Sequence, residues 1–360
     1  MSQPLLSVCI PTRNRKDYLV KLINEFLAVD DDRIELVVSD NVSDDGTEEV
    51  MRSMNNNKIR YSRNTENNGY KNMFETLAKG KGKFRMLIRD KDTIEHIPDF
   101  RVILDILESS EDNTTFFGTL TDADGKVWTE LCHMQEKNSL SAYLYAVFYT
   151  YCGSSYIFSG KVLDNVVKKI RASNNADYLL STYPQLVLAV YCAQECNGLP
   201  MPELNIWFQK QPTPAYYDIS MMWGNSEEPY WTITSGKKHY SECIRLFQDI
   251  SAPLDLKINI FINIIFKYLG FGVGFTFNTI YSPPEGLVRQ TPEVLAREQK
   301  KTITEWHFHF WDGFYSMAEI VASQYGVSIV NHDVMNAIRR FYNQFCVQTA
   351  AREGVRVEIK

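Results

Sequence analysis

Apolar and polar positions along the first ninety residues fall into two alternating rhythms. Residues 6–10 form a short apolar run stopped by Pro11, and residues 17–29 then place Tyr18, Leu19, Leu22, Ile23, Phe26 and Leu27 at helical spacing. Residues 34–38 read as a second strand ending in Ser39-Asp40-Asn41, and Ser43-Asp44-Asp45-Gly46-Thr47 supplies turn and N-cap chemistry for a helix through Met54. A third short strand is expected at 59–62, a turn at Asn67-Asn68-Gly69, a helix at 72–79 and a fourth strand at 84–88. Strands alternating with helices predict an α/β domain on a mostly parallel sheet, with the polar turn residues gathered at one sheet edge. Pro11, Asp40, Asn68 and Asp90 should therefore lie near one another.

From about Pro212 the pattern changes. Proline and aromatic residues crowd 211–231, which suggests a long loop or lid, and 237–249, 254–269, 292–306 and 334–350 read as helices. The expected organisation is an α/β domain over 1–225 and a mainly helical C-terminal module over 226–360. Within the module, residues 258–269 are apolar apart from a polar stripe of Asn259, Asn263 and Lys267 at i,i+4. Such a helix suits a membrane interface, the inside of the module or a homo-oligomer contact, and burial is the simpler reading. The run is too interrupted for a membrane-spanning helix.

The chain of 360 residues is 44 % hydrophobic and 23 % charged, the make-up of a folded soluble protein. Its formal charge of -6 argues against broad nucleic-acid binding, which draws on Lys and Arg neutralising phosphates. Seven cysteines without a C-x-x-C pair fit reduced thiols better than a disulfide framework. Cys192 and Cys196 share a helix face, but no second ligand pair completes a zinc site, and His307 and His309 sit among aromatic residues that favour packing. Met1 leads straight into a strand-like segment with no secretory signal pattern, so a cytoplasmic location is expected.

The candidate chemistry lies at the expected strand ends. Asp90-Lys91-Asp92 ends the fourth strand, where an open α/β sheet leaves its ligand crevice; alone, such a charged stretch could equally be a solvated turn. Backbone groups around Pro11-Thr12 and the Asp40 carboxylate could take a nucleobase and ribose, because a carboxylate accepts from ring N–H and sugar hydroxyl groups. Asp92, with Asp90 beside it, could hold a hard divalent cation, Mn²⁺ or Mg²⁺, against a diphosphate.

Ser7-Val8-Cys9-Ile10-Pro11-Thr12-Arg13-Asn14-Arg15, then Glu35 to Thr47 with Ser39-Asp40-Asn41 at its centre, then Asn67-Asn68-Gly69, then Asp90-Lys91-Asp92 resemble the successive signatures of family 2 glycosyltransferases. The resemblance covers about residues 5–100 and looks closest to the bacterial surface-polysaccharide, abequosyltransferase-like branch. It implies a GT-A fold, a Rossmann-like, mostly parallel sheet flanked by helices. Position by position, it implies that Pro11, Thr12 and Arg13 line a nucleoside pocket and that Asp40 contacts the base. Asn41 stands where many relatives carry a second aspartate. Asn68, Lys71 and Asn72 occupy the stretch that closes over base or ribose. Asp90 and Asp92 fall on the D-x-D, with Asp92 as main metal ligand. Lys91 departs from the acidic or small residue usual between them; it either weakens the metal site or contacts phosphate itself.

Past residue 100 the resemblance thins. Inverting members place a general base, usually Asp or Glu, some eighty to a hundred residues beyond the D-x-D, and Asp177 has that position, although a plain helix N-cap would look the same. Asp164 and Glu195 are lesser candidates. Gly153-Ser154-Ser155-Tyr156 reads either as an acceptor-side strand edge or as small residues beside a buried strand. The implied activity is inverting transfer of a sugar from a nucleoside diphosphate donor to a glycan or lipid-linked acceptor in bacterial surface polysaccharide synthesis, at the inner face of the cell membrane. The C-terminal module would then serve acceptor, membrane-surface or oligomer contacts. The alternatives are a nucleotidyltransferase-like enzyme, which should carry a Gly-rich first loop that Pro11 to Arg15 lacks, and a catalytically degenerate nucleotide-sugar-binding module. No G-x-G-x-x-G follows the first strand, which argues against a dinucleotide-binding oxidoreductase.

Overall fold

The computed structural model describes residues 3–129, 153–173, 179–180 and 183–209, with isolated positions from Lys238 onward. The chain divides into two compact units, Met1–Ala215 and Tyr216–Lys360. The strands and helices whose bounds are described belong to the first unit. The segment 258–269, His307 and His309 lie outside the described residues, as does Asp177. Among the described residues no helix is long and apolar enough to cross a membrane.

The first unit is a mixed α/β layer structure. Its strands are β1 (Leu6–Thr12), β2 (Ile34–Asp40), β3 (Ile59–Arg63), β4 (Phe84–Leu87), β5 (Asp92–Thr93), β6 (Thr114–Thr121), β7 (Val127–Thr129), β8 (Tyr156–Ser159) and β9 (Asn197–Phe208). Among the described residues its helices are α1 (Lys16–Ala28), α2 (Thr47–Ser53), α3 (Lys71–Lys79), α4 (Phe100–Ser109), α5 (Gly160–Ser173) and α6 (Pro184–Ala193). One sheet runs β3-β2-β1-β4-β8-β6-β9-β5, with β7 paired to β6. β3, β2, β1 and β4 are mutually parallel, β8 runs against both β4 and β6, and β9 is parallel to β6.

Burial explains the order. β1 is buried along its whole length, as a central strand covered on both faces must be, while β3 at the sheet margin is only half-buried. α1 turns Leu19, Leu22, Ile23 and Phe26 to the sheet, a spacing of three and four that makes one continuous apolar stripe. Those four side chains join Val8, Ile10, Leu36 and Val38 in a common core. Burying each is worth about 1.5–3 kcal/mol, so the stripe alone offsets much of the entropy of ordering the helix. Asp99 caps α4 by accepting from the Arg101 N–H at 3.0 Å.

Two local features open the crevice. β1 runs two residues past its expected end at Ile10, because pairing with β2 continues through Pro11↔Ser39 and Thr12↔Asp40. On its other side, pairing with β4 ends at Cys9↔Leu87. Pro11 has no N–H to extend that ladder, so β1 and β4 part there. They part at the switch point of the sheet, where chain order reverses and α/β proteins bind ligands.

Across the sheet, the pairing of β6 with β9 jumps between Phe117 and Thr119, setting Pro200 and Asn205 against neighbouring positions of β6. Gly118 sits in the gap, where an added Cβ would come within 2.0 Å of the Leu204 carbonyl oxygen. Beyond this bulge the end of β9 pairs with β5, placing Phe208 opposite Asp92.

Candidate functional site

At the carboxyl ends of β1, β2 and β4, three buried carboxylates come together, and each is paired with an arginine. Asp90 Oδ2 accepts from Thr12 Oγ1 at 2.9 Å and its Oδ1 accepts from Arg15 Nη1 at 3.0 Å. Asp92 is held bidentately by Arg89, with Nε and Nη2 each 2.8 Å from a carboxylate oxygen. Asp40 accepts from the Ser43 N–H at 2.9 Å, Tyr61 Oη at 2.7 Å and Arg63 Nη1 at 2.8 Å. All three carboxylates are at most 1 % exposed. Unpaired carboxylates would be prohibitively costly there; charge-assisted bonds make them tolerable.

Asn41 connects the motifs. Its N–H donates to the Thr12 carbonyl at 2.9 Å, its Oδ1 accepts from the Asn68 N–H at 2.9 Å, and its Nδ2 donates to Asn67 Oδ1 at 2.6 Å. An aspartate could not make the last bond, which is the physical case for asparagine at this position. Pro11, Asp40, Asn68 and Asp90 thus gather as expected, through the continuous path Asp90–Thr12–Asn41–Asn68.

The other expected residues divide by exposure. Arg13, half-buried, donates through Nη1 to the carbonyls of Asn41 at 2.6 Å and Val42 at 3.2 Å. It holds Val42 at a φ of 64°, a left-handed conformation costly for a β-branched residue. Lys71 is exposed at the start of α3, whereas Asn72 is buried beneath the edge. Asn72 Nδ2 donates to the Ser39 carbonyl at 2.8 Å, and its Oδ1 accepts from Ser39 Oγ at 2.8 Å and from Asn64 Nδ2 at 2.9 Å. Its place is in the support of the pocket rather than its lining. Lys91 is pushed down to about 8 by burial and then by the like charges of Arg89 and Arg15. Tyr61 is pushed up by burial and by its bond to Asp40.

Of the lesser candidates for a base, neither reaches the crevice. Asp164 pairs with Arg85 at 2.8 Å, near the start of β4. Glu195 pairs with Lys169 just before β9 begins. Both sit at the opposite edge because β8 runs downward, so α5 starts there, and β9 rises from there. Gly153-Ser154-Ser155 forms a 3-10 turn packed against the D-x-D, with Ser154 Oγ accepting from Arg89 Nε at 3.2 Å. Ser154 and Ser155 are fully buried, so this stretch supports the site from behind.

Three participants carry no sequence signal of their own. Arg15 ends the first motif and Arg89 precedes the last, and both are legible only as charges. Gln209, at the end of β9, is separated from the D-x-D by more than a hundred residues. Its Nε2 lies 2.9 Å from the Asp92 carbonyl, 3.2 Å from that of Asp90 and 3.3 Å from that of Tyr18, and its backbone N–H donates to the Lys91 carbonyl at 2.8 Å.

Among the described residues no three His, Cys, Asp or Glu side chains gather to hold a metal. Two carboxylates nevertheless suit a hard cation in kind and number, because Mg²⁺-type sites take one or two protein oxygens and complete their shell with phosphate and water. The Arg89 side chain occupies two of the roughly four lone-pair positions of Asp92, so a cation there shares the carboxylate with the guanidinium or displaces it. A broad depression of about 1080 Å³ lies at the opposite edge, lined by residues including Arg33, Lys58, Arg60 and Lys83. Those four cations are each paired with an acidic side chain, and nothing there matches the chemistry of the crevice.

Residues 7–143 match the family model of Glycosyl transferase family 2. Over those residues the chain is similar to glycosyl transferase family 2. The chain is 37 % identical over 99 residues to Abequosyltransferase RfbV of Salmonella typhimurium (strain LT2), a match covering 25 % of the chain and 29 % of that protein. The chain therefore spans under a third of the length of that curated relative. Among solved structures, S. aureus TarS 1-349 superposes with a TM-score of 0.57 at 13 % identity over 99 % of this chain and 93 % of that one. TarS 1-349 in complex with UDP-GlcNAc gives a TM-score of 0.56 at 14 % identity, with the same coverage. The fold is GT-A.

Proposed function

We propose that this chain is an inverting glycosyltransferase that moves a sugar from a nucleoside diphosphate donor to a glycan or lipid-linked acceptor in bacterial surface polysaccharide synthesis. The observation that carries the reading is the Thr12–Asp90 bond at 2.9 Å, which joins the first and last motifs across the sheet's switch point. The abequosyltransferase likeness supports the pathway class, and the UDP-GlcNAc complex of a protein with the same fold supports a nucleotide-sugar donor.

On this reading Pro11, Thr12 and Arg13 line the nucleoside side of the crevice, and Asn68 and Lys71 border it. Asp40 already accepts from three internal donors, which leaves about one carboxylate lone-pair position for a base N–H. Arg15, Arg89 and Lys91 supply positive charge toward the diphosphate. Asp92, with Asp90, would hold Mn²⁺ or Mg²⁺, which when bound would neutralise the departing diphosphate. Asp177, outside the described residues, is assigned as the general base. It takes the proton of the acceptor hydroxyl while that oxygen attacks the anomeric carbon and the bond to the diphosphate breaks on the opposite face. The C-terminal unit is assigned to acceptor, membrane-surface or oligomer contacts at the inner face of the membrane.

Thermal stabilisation across a panel of nucleoside diphosphates, with and without Mn²⁺, tests the donor reading. One diphosphate should raise the melting temperature; no response to any, with or without metal, would defeat it. Asp177→Asn should lower transfer by about 10²–10⁴-fold and leave donor binding intact. Normal turnover in that variant removes Asp177 as the base.

A further inference from the structure

All three carbonyls of Asp90-Lys91-Asp92 accept hydrogen bonds from one residue. Gln209 Nε2 reaches the carbonyl oxygens of Asp90 at 3.2 Å and Asp92 at 2.9 Å, and its backbone N–H reaches that of Lys91 at 2.8 Å. The same Nε2 lies 3.3 Å from the Tyr18 carbonyl of α1. Gln209 is 6 % exposed, so water does not compete for these acceptors. The sheet adds a second tie, since Asp92 pairs with Phe208 and the Phe208 ring lies 4.6 Å from the Arg89 guanidinium.

The orientation of a short loop is set by its peptide planes. Fixing three successive carbonyls fixes the planes on both sides of Lys91 and Asp92, while the Asp92 N–H, donating to the Arg89 carbonyl at 3.0 Å, fixes the plane before Asp90; together they set the directions in which the two carboxylates leave the backbone. An amide suits this task because its nitrogen donates without adding charge beside Arg15, Arg89 and Lys91. A glutamate would set ionised oxygens against carbonyl oxygens, and a methionine would fill the space but donate nothing.

We infer that Gln209 is the positioning residue of the D-x-D loop, holding it in the geometry that receives the donor diphosphate. The inference rests on the reading of the crevice as a nucleoside diphosphate site. Gln209 touches neither base nor sugar in that reading, so its loss acts on the diphosphate and spares the nucleoside. Removing supports of this kind costs about ten- to a hundredfold in affinity at the group they orient.

The experiment compares wild type, Gln209→Met and Gln209→Glu in calorimetric titrations with the nucleoside diphosphate that stabilises the wild type and with the corresponding nucleoside. Gln209→Met should lose about tenfold or more for the diphosphate and stay within about twofold for the nucleoside. Gln209→Glu should behave likewise at pH 8. Equal loss for both ligands, loss for neither, or failure of both variants to fold overturns the inference. If wild type binds no nucleoside diphosphate, it is the functional reading that fails, and the two failures are told apart by that first titration.

Discussion

Arg89 closes on Asp92 with two bonds of 2.8 Å, one from Nε and one from Nη2, while Ser154 and the Phe208 ring pack around the same guanidinium. Asp92 is fully buried, so removing its partner leaves a charge without compensation. Arg89→Met should therefore cost about 3 kcal/mol of stability, measured by urea unfolding. A cost below about 0.5 kcal/mol, the range of an exposed pair, would mean that the pair is open in solution.

Lys91 sits between the two carboxylates expected to meet a cation, and burial, followed by the like charges of Arg89 and Arg15, already disfavours its ammonium form. Lys91→Ala removes a positive charge from that neighbourhood. With the nucleoside diphosphate present, Mn²⁺ affinity should rise about three- to tenfold, since roughly 1 kcal/mol of repulsion is relieved at solvent-like screening. Electron paramagnetic resonance titration of free Mn²⁺ reads this directly, and an unchanged affinity would place Lys91 outside the cation's field.

Val42 holds a φ of 64° under the grip of Arg13. Asparagine tolerates that conformation and valine does not, so Val42→Asn should stabilise the fold by about 0.5–1 kcal/mol. A lowered melting temperature would show that packing by the valine methyl groups outweighs the strain.

Burial pushes the Cys9 thiol up to about 12, against an ordinary value of 9.0, with Arg85 opposing weakly. The folded chain keeps this proton while the unfolded chain loses it, so the stabilising contribution is complete below pH 9.0 and is lost as pH rises toward about 12. Cys9 should resist iodoacetamide at pH 8 until the domain unfolds, as followed by mass spectrometry. Rapid labelling under native conditions would contradict its burial.

The half of the domain that was legible in the sequence is the half with local contacts. β1 through β4 alternate with their own helices, so period-2 and helical patterns each show undisturbed. The later strands do not. β8 inserts antiparallel between β4 and β6, and β9 carries Gly198, Pro200 and Pro202, which break any strand pattern that a scan along the chain can detect. For the site, the motif residues converge as expected, but exposure was hidden. Nothing in the chain order distinguishes a buried Asn72, which supports the edge, from an exposed Lys71, which borders it. Asp164 and Glu195 sat at plausible distances along the chain and lie at the wrong edge because strand direction reverses at β8. Gln209 could not be foreseen, since its meaning comes entirely from the loop it meets.

The tie between Gln209 and Asp90-Lys91-Asp92 also orders events during synthesis. The contacts among β1, β2, β3 and β4 close over short stretches of chain and can form as soon as the first ninety residues emerge, whereas the D-x-D loop waits for a partner 117 positions later. A nascent chain stopped before residue 209 should therefore possess the nucleoside half of its crevice without a set diphosphate half. Donor capture would switch on late, once the first unit is nearly complete.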